Sequence, residues 1–235
     1  MLIRILLRRI IFKIAKNSIL FKRLDLHLED ILKKKFPAGS EFNFVQVGAN
    51  DGISHDWLYD FVKERKSSGI VIEPLHDFFT QLKENYSFSK DVIPLQYAVH
   101  ATAKEINLYR VKKEFLSNYP DWAGGIASFS AEHLHSSGLI DPSHIIQEKV
   151  PAKPLNDILE KNYKAKKIDL FQIDTEGYDL EILKMLDLTK FTPSYIKMEY
   201  VVLSKDEIIQ AKQLLSNSNY NYFFEGGDLI AIRKN

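Results

Sequence analysis

From residue 41 onward, short apolar runs alternate with amphipathic segments. The runs predict strands near residues 42–47, 70–73, 92–95, 168–173 and 195–200, and the amphipathic segments predict helices near residues 56–66, 75–86, 155–162, 177–186 and 205–215. A closing hairpin is predicted from residues 220–224 and 229–233 around Gly226-Gly227-Asp228. Strands that alternate with helices indicate an α/β fold, a mostly parallel sheet with helices on both faces. The hairpin would add an antiparallel edge.

The middle of the chain is less regular. Residues 97–99 and 106–111 are predicted to pair with each other, whereas residues 112–150 have weak periodicity and scattered glycine and proline. So long an irregular segment within a compact domain is typical of a functional lid. Within it, we expect residues 121–129 to cover the site, where Trp122 could stack on a substrate and Ser128 could hydrogen-bond a ligand. An equally weighted alternative is that Trp122 only covers a hydrophobic edge.

Two amphipathic helices are predicted before this region, over residues 2–16 and 24–36. We therefore divide the chain into a helical extension, 1–40, and a domain, 41–235. The apolar runs of the extension are too short to span a bilayer, and no signal-peptide cleavage site follows them. Two interpretations stay open: residues 1–23 lie on an anionic membrane surface, or they pack against the domain or a second subunit.

Composition narrows the function classes. The chain has 235 residues and no cysteine, which excludes disulfides, zinc–thiolate sites and thiol catalysis. Its net charge is +1, yet seven basic and no acidic residues precede Asp25, so the remainder is net acidic. An acidic body argues against nucleic-acid binding. We expect a cytoplasmic protein, with any peripheral contact at the inner face of the membrane.

Ligands of such sheets bind at the carboxyl ends of the strands, so polar residues there carry the functional weight. The turn Gly48-Ala49-Asn50-Asp51-Gly52 follows the first strand, and its backbone N–H groups are expected to approach a ligand. It matches neither the dinucleotide fingerprint nor a P-loop. Glu73 ends the second strand, where an acid can bind ribose hydroxyls; the alternative is a solvated acid before a proline.

A second polar segment, Asp174-Thr175-Glu176-Gly177-Tyr178-Asp179, directly follows an apolar strand. Its two leading carboxylates and its glycine are compatible with a ligand site. They are equally compatible with capping of the next helix, and both roles can coexist.

Together, the segments 47–52 and 173–179 resemble the FkbM family of S-adenosylmethionine-dependent methyltransferases. Glu73-Pro74, Ala98-Val99 and Glu199 fit the same pattern, and the resemblance extends from about residue 42 to residue 232. It implies a Rossmann-like class I methyltransferase fold. One departure is Gln172, where relatives commonly carry lysine.

The resemblance also implies roles for individual residues. Glu73 would bind the ribose of S-adenosylmethionine, and Asp174 would lie beside its amino group or its transferred methyl. The methionine end would be held by Gly48, Ala49, Asn50, Asp51 and Gly52, and the adenine would lie near Pro74, Gln96 and Ala98. Acidic surroundings suit this cofactor, which carries a sulfonium and an ammonium, and no lysine or arginine lies between Phe42 and Tyr59.

The expected reaction is O-methylation of a sugar or surface-glycan precursor. Candidate bases are Glu176, Glu199, Asp174 and His100, in that order. We expect no metal: His133, His135 and His144 match no zinc pattern, and a divalent ion on Asp174 and Glu176 ranks below metal-free transfer. One alternative is a methyltransferase with a lipid, small-metabolite or protein-nitrogen acceptor. Another is a catalytically silent nucleotide-binding module that docks on membranes or partners through residues 1–23. An NAD-dependent oxidoreductase is disfavoured because the turn lacks the middle glycine of the dinucleotide fingerprint.

Overall fold

The computed structural model describes residues 27–54, 56–135, 138–164 and 167–234. The strands are β1 Glu41–Val47, β2 Lys66–Ile72, β3 Val92–Leu95, β4 Ala98–Val99, β5 Glu105–Val111, β6 Ala127–Ser128, β7 Ile145–Lys153, β8 Leu170–Ile173, β9 Tyr195–Glu199, β10 Tyr220–Glu225 and β11 Asp228–Arg233. The α-helices are α1 Leu28–Lys35, α2 Leu58–Lys63, α3 His76–Asn85, α4 Ala131–His135, α5 Leu155–Asn162, α6 Asp179–Met185 and α7 Lys205–Asn217. Short 3-10 helices cover Tyr86–Phe88, Lys113–Asn118, Asp121–Gly124 and Pro142–His144.

Seven strands form the central sheet in the order β10-β11-β9-β8-β1-β2-β3. The pairs β1–β2, β2–β3, β1–β8 and β8–β9 are parallel, and β11 runs antiparallel to both of its neighbours. The chain proceeds outward from β1 to β3 on one side and resumes at β8 on the other. The topological switch point therefore lies between β1 and β8, where ligands of such sheets bind. The predicted Rossmann-like fold with its closing hairpin is confirmed.

The two faces of the sheet bury separate apolar clusters, because successive side chains of a strand point to opposite faces. Val45, Phe171 and Ile196 pack on one face against α5, α6 and α7. Phe44 and Leu170 pack on the other face with residues of α1, α2 and α3. Apolar burial of this kind is worth about 25 cal/mol per Å² and is the main stabilising term.

The first helix belongs to this core although it precedes residue 41. Leu28 and Leu32 are buried in the same cluster as β1, and Glu225 of the β10–β11 turn accepts a 2.8 Å hydrogen bond from the Leu28 N–H. Part of the predicted extension 1–40 thus contributes to the domain core, and the division at residue 41 stays a prediction. Residues 1–23, for which membrane or subunit contact was predicted, lie outside the described residues. Within the described ranges, no helix combines the length and apolarity needed to cross a membrane.

A second sheet, ordered β4-β7-β5-β6, stands beside the first. The prediction that residues 97–99 pair with 106–111 was wrong: β4 and β5 each pair with β7, which begins inside the segment predicted to be irregular and ends three residues beyond it. Buried Arg110 joins this sheet to α3 through two 2.7 Å hydrogen bonds to Asp77. The guanidinium of Arg110 holds the pKa of Asp77 well below its usual range.

The second strand starts earlier than its sequence predicts. Ser67-Ser68-Gly69 has the composition of a break, yet all three residues lie in β2. A Cβ atom on Gly69 would lie 2.3 Å from the carbonyl oxygen of Phe44, so glycine is needed where β1 approaches. Buried Ser67 donates its hydroxyl to the carbonyl of Val62, which ties β2 to the end of α2.

Candidate active site

A cavity of about 540 Å³ opens at the carboxyl ends of the central strands. That volume is within the range of about 300–1,000 Å³ typical of small-molecule sites. Nine of the predicted site residues line it: Gly48, Ala49, Asn50, Glu73, Pro74, Ala98, Asp174, Glu176 and Glu199. The order of the sheet brings these residues together from five separate stretches of the chain.

Every backbone N–H group of the glycine turn has an acceptor, either in the neighbouring strand region or within the turn itself. The N–H groups of Gly48 and Ala49 donate to the carbonyl of Ile72, and the N–H of Asn50 donates to Glu73, each at 3.0 Å. The N–H groups of Asp51 and Gly52 donate to Asn50 Oδ1 and the Ala49 carbonyl. The expectation that these N–H groups approach a ligand is therefore wrong, because every one already has an acceptor. A turn of this kind lacks the free donors of a phosphate-binding loop.

Two glycines of the turn have different physical roles. A Cβ atom on Gly48, at φ +80°, would lie 1.8 Å from the carbonyl oxygen of Asp174, so glycine lets the tips of β1 and β8 meet at the cavity. A Cβ atom on Gly52 would lie 2.6 Å from the ring of Tyr86. Gly52 therefore serves packing against the helical layer and does not line the cavity.

Glu73 is buried at the edge of the cavity beside this turn. Its two carboxylate oxygens accept hydrogen bonds from the N–H groups of Asn50, at 3.0 Å, and Leu75, at 2.9 Å. Burial raises the pKa of Glu73 to about 7, and the two N–H donors limit the increase. Each oxygen keeps a second lone pair. A pair of vicinal hydroxyls can donate to such a rigidly held carboxylate.

The wall beyond Glu73 is apolar. Pro74 and Leu75 line the cavity together with Tyr97 and Ala98, and Phe129 reaches it from the second sheet. Phe129 packs on Tyr178 with 4.5 Å between ring centroids. Such a slot suits a flat aromatic base. Gln96, also predicted here, does not line the cavity and contacts the carbonyl of Pro74 through its amide.

The turn after β8 is held by Asp179, which belongs to the predicted polar segment but was assigned no role of its own. Asp179 is fully buried and accepts hydrogen bonds from Thr175 Oγ1, at 3.1 Å, and the Gly177 N–H, at 3.2 Å. Burial and the nearby carboxylate of Asp174 raise the pKa of Asp179 to about 7. This anchor keeps Glu176 in the left-handed region, at φ 54°. The interpretation that Asp174 or Thr175 caps the next helix is wrong, because α6 begins at Asp179 and its N-cap residue, Tyr178, makes no side-chain capping hydrogen bond.

Three carboxylates converge at the strand ends. Asp174, Glu176 and Glu199 place one oxygen each within 4.8 Å of one another. Buried Glu199 ends β9, the strand next to β8. Such a cluster attracts positive charge and offers the oxygen ligands that hard divalent cations prefer. The prediction of metal-free transfer stays a prediction.

Several predicted residues lie away from the cavity. Asp51 accepts hydrogen bonds from the N–H groups of Ile53 and Ser54 and shapes its own turn. His100 accepts at Nδ1 from the N–H groups of Thr102 and Ala103, so it shapes a turn of the second sheet. Its predicted role as a base has no support from this geometry.

The lid contacts also differ from expectation. Ser128 is buried, and its Oγ accepts a hydrogen bond from the Ser130 N–H, whereas its neighbours Ala127 and Phe129 line the cavity. The side chain of Trp122 lies outside the described part of the chain. Gly125 of the same segment does reach the cavity, where its carbonyl accepts from the amide of Asn50 at 3.4 Å.

A second set of polar residues lines the cavity below the strand ends, and none was singled out as a site residue. Gln46 and Gln172 donate from their amides to the same oxygen of Asp56, at 2.5 and 3.0 Å. Lys197 lies 3.2 Å from Asp228. Burial alone would lower the pKa of Lys197, but Asp228, Asp174 and Asp56 together raise it, so the ammonium stays charged. The available signal was a polar side chain within an otherwise apolar strand.

The sheet order and the acid-lined cavity at the switch point define a Rossmann-like methyltransferase. Residues 46–222, about three quarters of the chain, match the family model described as "Methyltransferase FkbM domain". The protein therefore belongs to the FkbM methyltransferase family and is an S-adenosylmethionine-dependent enzyme.

Solved structures with similar folds include methyltransferase FkbM from Methylobacillus flagellatus, with 15% identity, 82% coverage of this chain, 44% coverage of that chain and a TM-score of 0.49. Fibrillarin from Aeropyrum pernix with natively bound S-adenosyl-L-methionine shares 8% identity at a TM-score of 0.44, covering 83% of this chain and 67% of that one. The Methanococcus jannaschii fibrillarin pre-rRNA processing protein has 10% identity, coverages of 84% and 69%, and a TM-score of 0.44. No curated protein matches the chain significantly.

Proposed function

We propose that this methyltransferase acts on a hydroxyl group of a sugar or surface-glycan precursor. The observation that carries the proposal is the convergence of Asp174, Glu176 and Glu199 within 4.8 Å at the strand ends. An alcohol must lose its proton as the new bond forms, and a carboxylate at that point can take it.

The cavity fits the cofactor of the family. When bound, S-adenosylmethionine supplies an electrophilic methyl group on a sulfonium centre. Glu73 would hold the ribose hydroxyls, and the slot around Pro74 and Ala98 would take the adenine. The acids of the β8 turn, Asp174 and Glu176, would face the positive charges.

Within this arrangement, the residues of the chain do two things. The buried walls would hold the methyl donor and the acceptor in line, and correct placement can lower the activation barrier by about 7–11 kcal/mol. Glu199 is our first choice as the base because it is buried and belongs to a strand, which fixes its position. Glu176 and Asp174 would position the acceptor hydroxyl and stabilise the positive charge that develops on its oxygen until the proton leaves. General-base catalysis adds about 10²–10⁴-fold.

The test is methyl transfer from labelled S-adenosylmethionine to a panel of free glycosides, sugar phosphates, nucleotide sugars, lipids and amines. We expect label in an alkali-stable ether on a sugar. Label only in an amine or a lipid would replace the proposed acceptor. Calorimetry with S-adenosylhomocysteine, wild type against Glu73→Ala, separates loss of the cofactor from loss of the acceptor.

We also propose that residues 1–23 contact an anionic membrane surface. The support is the sequence alone: seven basic residues and no acid precede Asp25. Each basic residue near an anionic surface is worth about 1 kcal/mol. The full chain should sediment with anionic vesicles but not with neutral ones, and a chain starting at residue 24 should stay in the supernatant. Equal recovery of both chains in the supernatant would contradict this.

A further inference from the structure

The polar residues below the strand ends form a row across the sheet. Gln46 of β1 is the register partner of Gln172 in β8, and Gln172 is the partner of Lys197 in β9. Side chains of register partners point to the same face. All three line the cavity, and both glutamines are only 2% exposed. We call Gln46, Gln172 and Lys197 the inner row.

The inner row lies directly beneath the reacting carboxylates. Asp174 and Glu199 follow Gln172 and Lys197 by two residues, which places them about 6.6 Å further along the strands, on the same side. That separation is comparable with the span between opposite hydroxyls of one hexose ring. A sugar whose reacting hydroxyl meets the carboxylates can therefore reach the inner row with another hydroxyl.

The inner row has unused hydrogen-bonding capacity. The amide nitrogens of Gln46 and Gln172 donate to Asp56, while the oxygen of each amide is buried and has no hydrogen-bond partner in the described part of the chain. Buried amide oxygens are normally paired, so two unpaired ones side by side indicate that a ligand supplies the donors. Hydroxyl groups are such donors, whereas a phosphate ester oxygen is not.

Charge excludes an anionic ligand from the same place. The ammonium of Lys197 is already paired with Asp228, and Asp56 accepts from both glutamines. The neighbouring wall adds Glu225, which binds His27 and the start of α1. A phosphate here would meet carboxylates, and the cavity residues of the described ranges offer no uncompensated cation to offset them. Trp57, which also lines the cavity, offers an aromatic face suited to a sugar ring.

From these observations, we infer that Gln46, Gln172 and Lys197 form a subsite that binds an uncharged sugar through its non-reacting hydroxyls and rejects phosphorylated or nucleotide-linked sugars. The inference rests on the proposed function, because it assumes that the acceptor is a sugar. It adds which chemical form of sugar the enzyme takes and which residues select it.

The experiment measures binding by the full chain, with and without S-adenosylhomocysteine, using saturation-transfer NMR. The probes are methyl α-glucoside, methyl α-mannoside and methyl β-galactoside, each compared with the 1-phosphate of the same sugar. Gln46→Met and Gln172→Met remove the amides at nearly constant volume. Gln210→Met, on the exposed side of α7, is the matched control, and thermal unfolding verifies that each variant is folded.

We expect at least one uncharged glycoside to bind, and each inner-row variant to weaken it about two- to tenfold, the contribution of one neutral hydrogen bond. Gln210→Met should change nothing, and the phosphates should not bind. The inference is overturned if no glycoside binds, if a phosphate binds equally well, or if both inner-row variants retain wild-type affinity. Should either variant unfold, the other variant and the phosphate comparison still decide.

Failure of the inference and failure of the proposed function have different signatures. Methyl transfer to a nucleotide sugar would overturn the inference and leave sugar O-methylation intact. Binding of a glycoside through the inner row, with methyl transfer only to a non-sugar acceptor, would overturn sugar O-methylation and leave the sugar-binding subsite intact.

Discussion

Replacing Gly48 by alanine should destabilise the fold and disrupt the cofactor site. The loss of stability can be estimated from the structure. Alanine at φ +80° costs about 1–2 kcal/mol in any surroundings. The added Cβ atom would also lie 1.8 Å from the Asp174 carbonyl oxygen, so the tips of β1 and β8 must separate. Overpacking of this kind costs about 1–3 kcal/mol. Loss of the 3.0 Å hydrogen bond from the Asp174 N–H to Val47 adds about 1–3 kcal/mol.

Gly39 provides a matched control. Its φ is +79°, nearly that of Gly48, yet a Cβ atom there meets nothing within 4 Å, and it lies before β1, at the far end of the strand. Gly39→Ala should therefore show the backbone cost alone, a fall in the melting temperature of about 2–8 °C. Gly48→Ala should lose a further 2–6 kcal/mol of unfolding free energy, which lowers its melting temperature by about 4–24 °C more.

The assays are thermal unfolding and calorimetry with S-adenosylhomocysteine. Gly39→Ala should bind it as the wild type does. Gly48→Ala should bind at least about tenfold more weakly, because the carboxylates of the β8 turn are displaced. Equal melting temperatures for the two variants, together with unchanged affinity in Gly48→Ala, would refute the account of how β1 and β8 form the site.

Four further predictions concern the carboxylates. Affinity for S-adenosylhomocysteine should rise about tenfold between pH 6 and 8, as Glu73 ionises with its pKa of about 7, and calorimetry on Glu73→Gln should show a flat profile. Because burial raises the pKa of folded Glu73 from 4.5 to about 7, protonated Glu73 contributes its full stability below pH 4.5, and this contribution is lost as pH rises through 7. In chemical unfolding, the free energy of unfolding of the wild type should therefore fall by up to about 3 kcal/mol relative to that of Glu73→Gln over this range. A difference between the two proteins that does not change with pH would contradict the burial argument. Glu199→Gln should lower kcat about 10²–10⁴-fold with unchanged S-adenosylhomocysteine binding, whereas exposed Glu181→Gln should leave kcat intact. Prolonged treatment with EDTA should leave the rate unchanged; loss of activity restored by Mg²⁺ or Mn²⁺ would instead assign a metal to the carboxylate cluster.

The strand ends could be predicted from the sequence because their signals are local. Apolar runs such as Val92–Leu95 and Leu170–Ile173 define where the parallel strands stop, and general rules then place ligands at those ends. Glu73 and Asp174 were found in this way. The glycine turn was also located, but its hydrogen bonds were misjudged, because the acceptors for three of its N–H groups are Ile72 and Glu73, at the end of the next strand.

What could not be predicted depends on contacts between distant residues. Strand β7 has a mixed apolar pattern and is stable as a strand because β4 and β5 lie on either side of it. The choice of Ser128 over Ala127 and Phe129 was wrong by one residue. In a strand, one residue decides which face a side chain occupies, and a two-residue strand has too little periodicity to show it.

Lys197, the cation beside the carboxylate cluster, also could not be predicted, because its place in the site depends on how two strands pair. Along the chain, Gln172 stands where the family resemblance implies a lysine, so the sequence of this strand alone suggests a site without a positive charge. In the sheet, however, Lys197 is the register partner of Gln172 and brings a charged ammonium to the same row from the neighbouring strand. Since side chains of partner positions lie about 5 Å apart, a charge on the neighbouring strand lies within the same site. A motif compared along a single strand cannot show that a charge enters the site from the next strand, whereas the pairing of β8 with β9 shows that Lys197 does so.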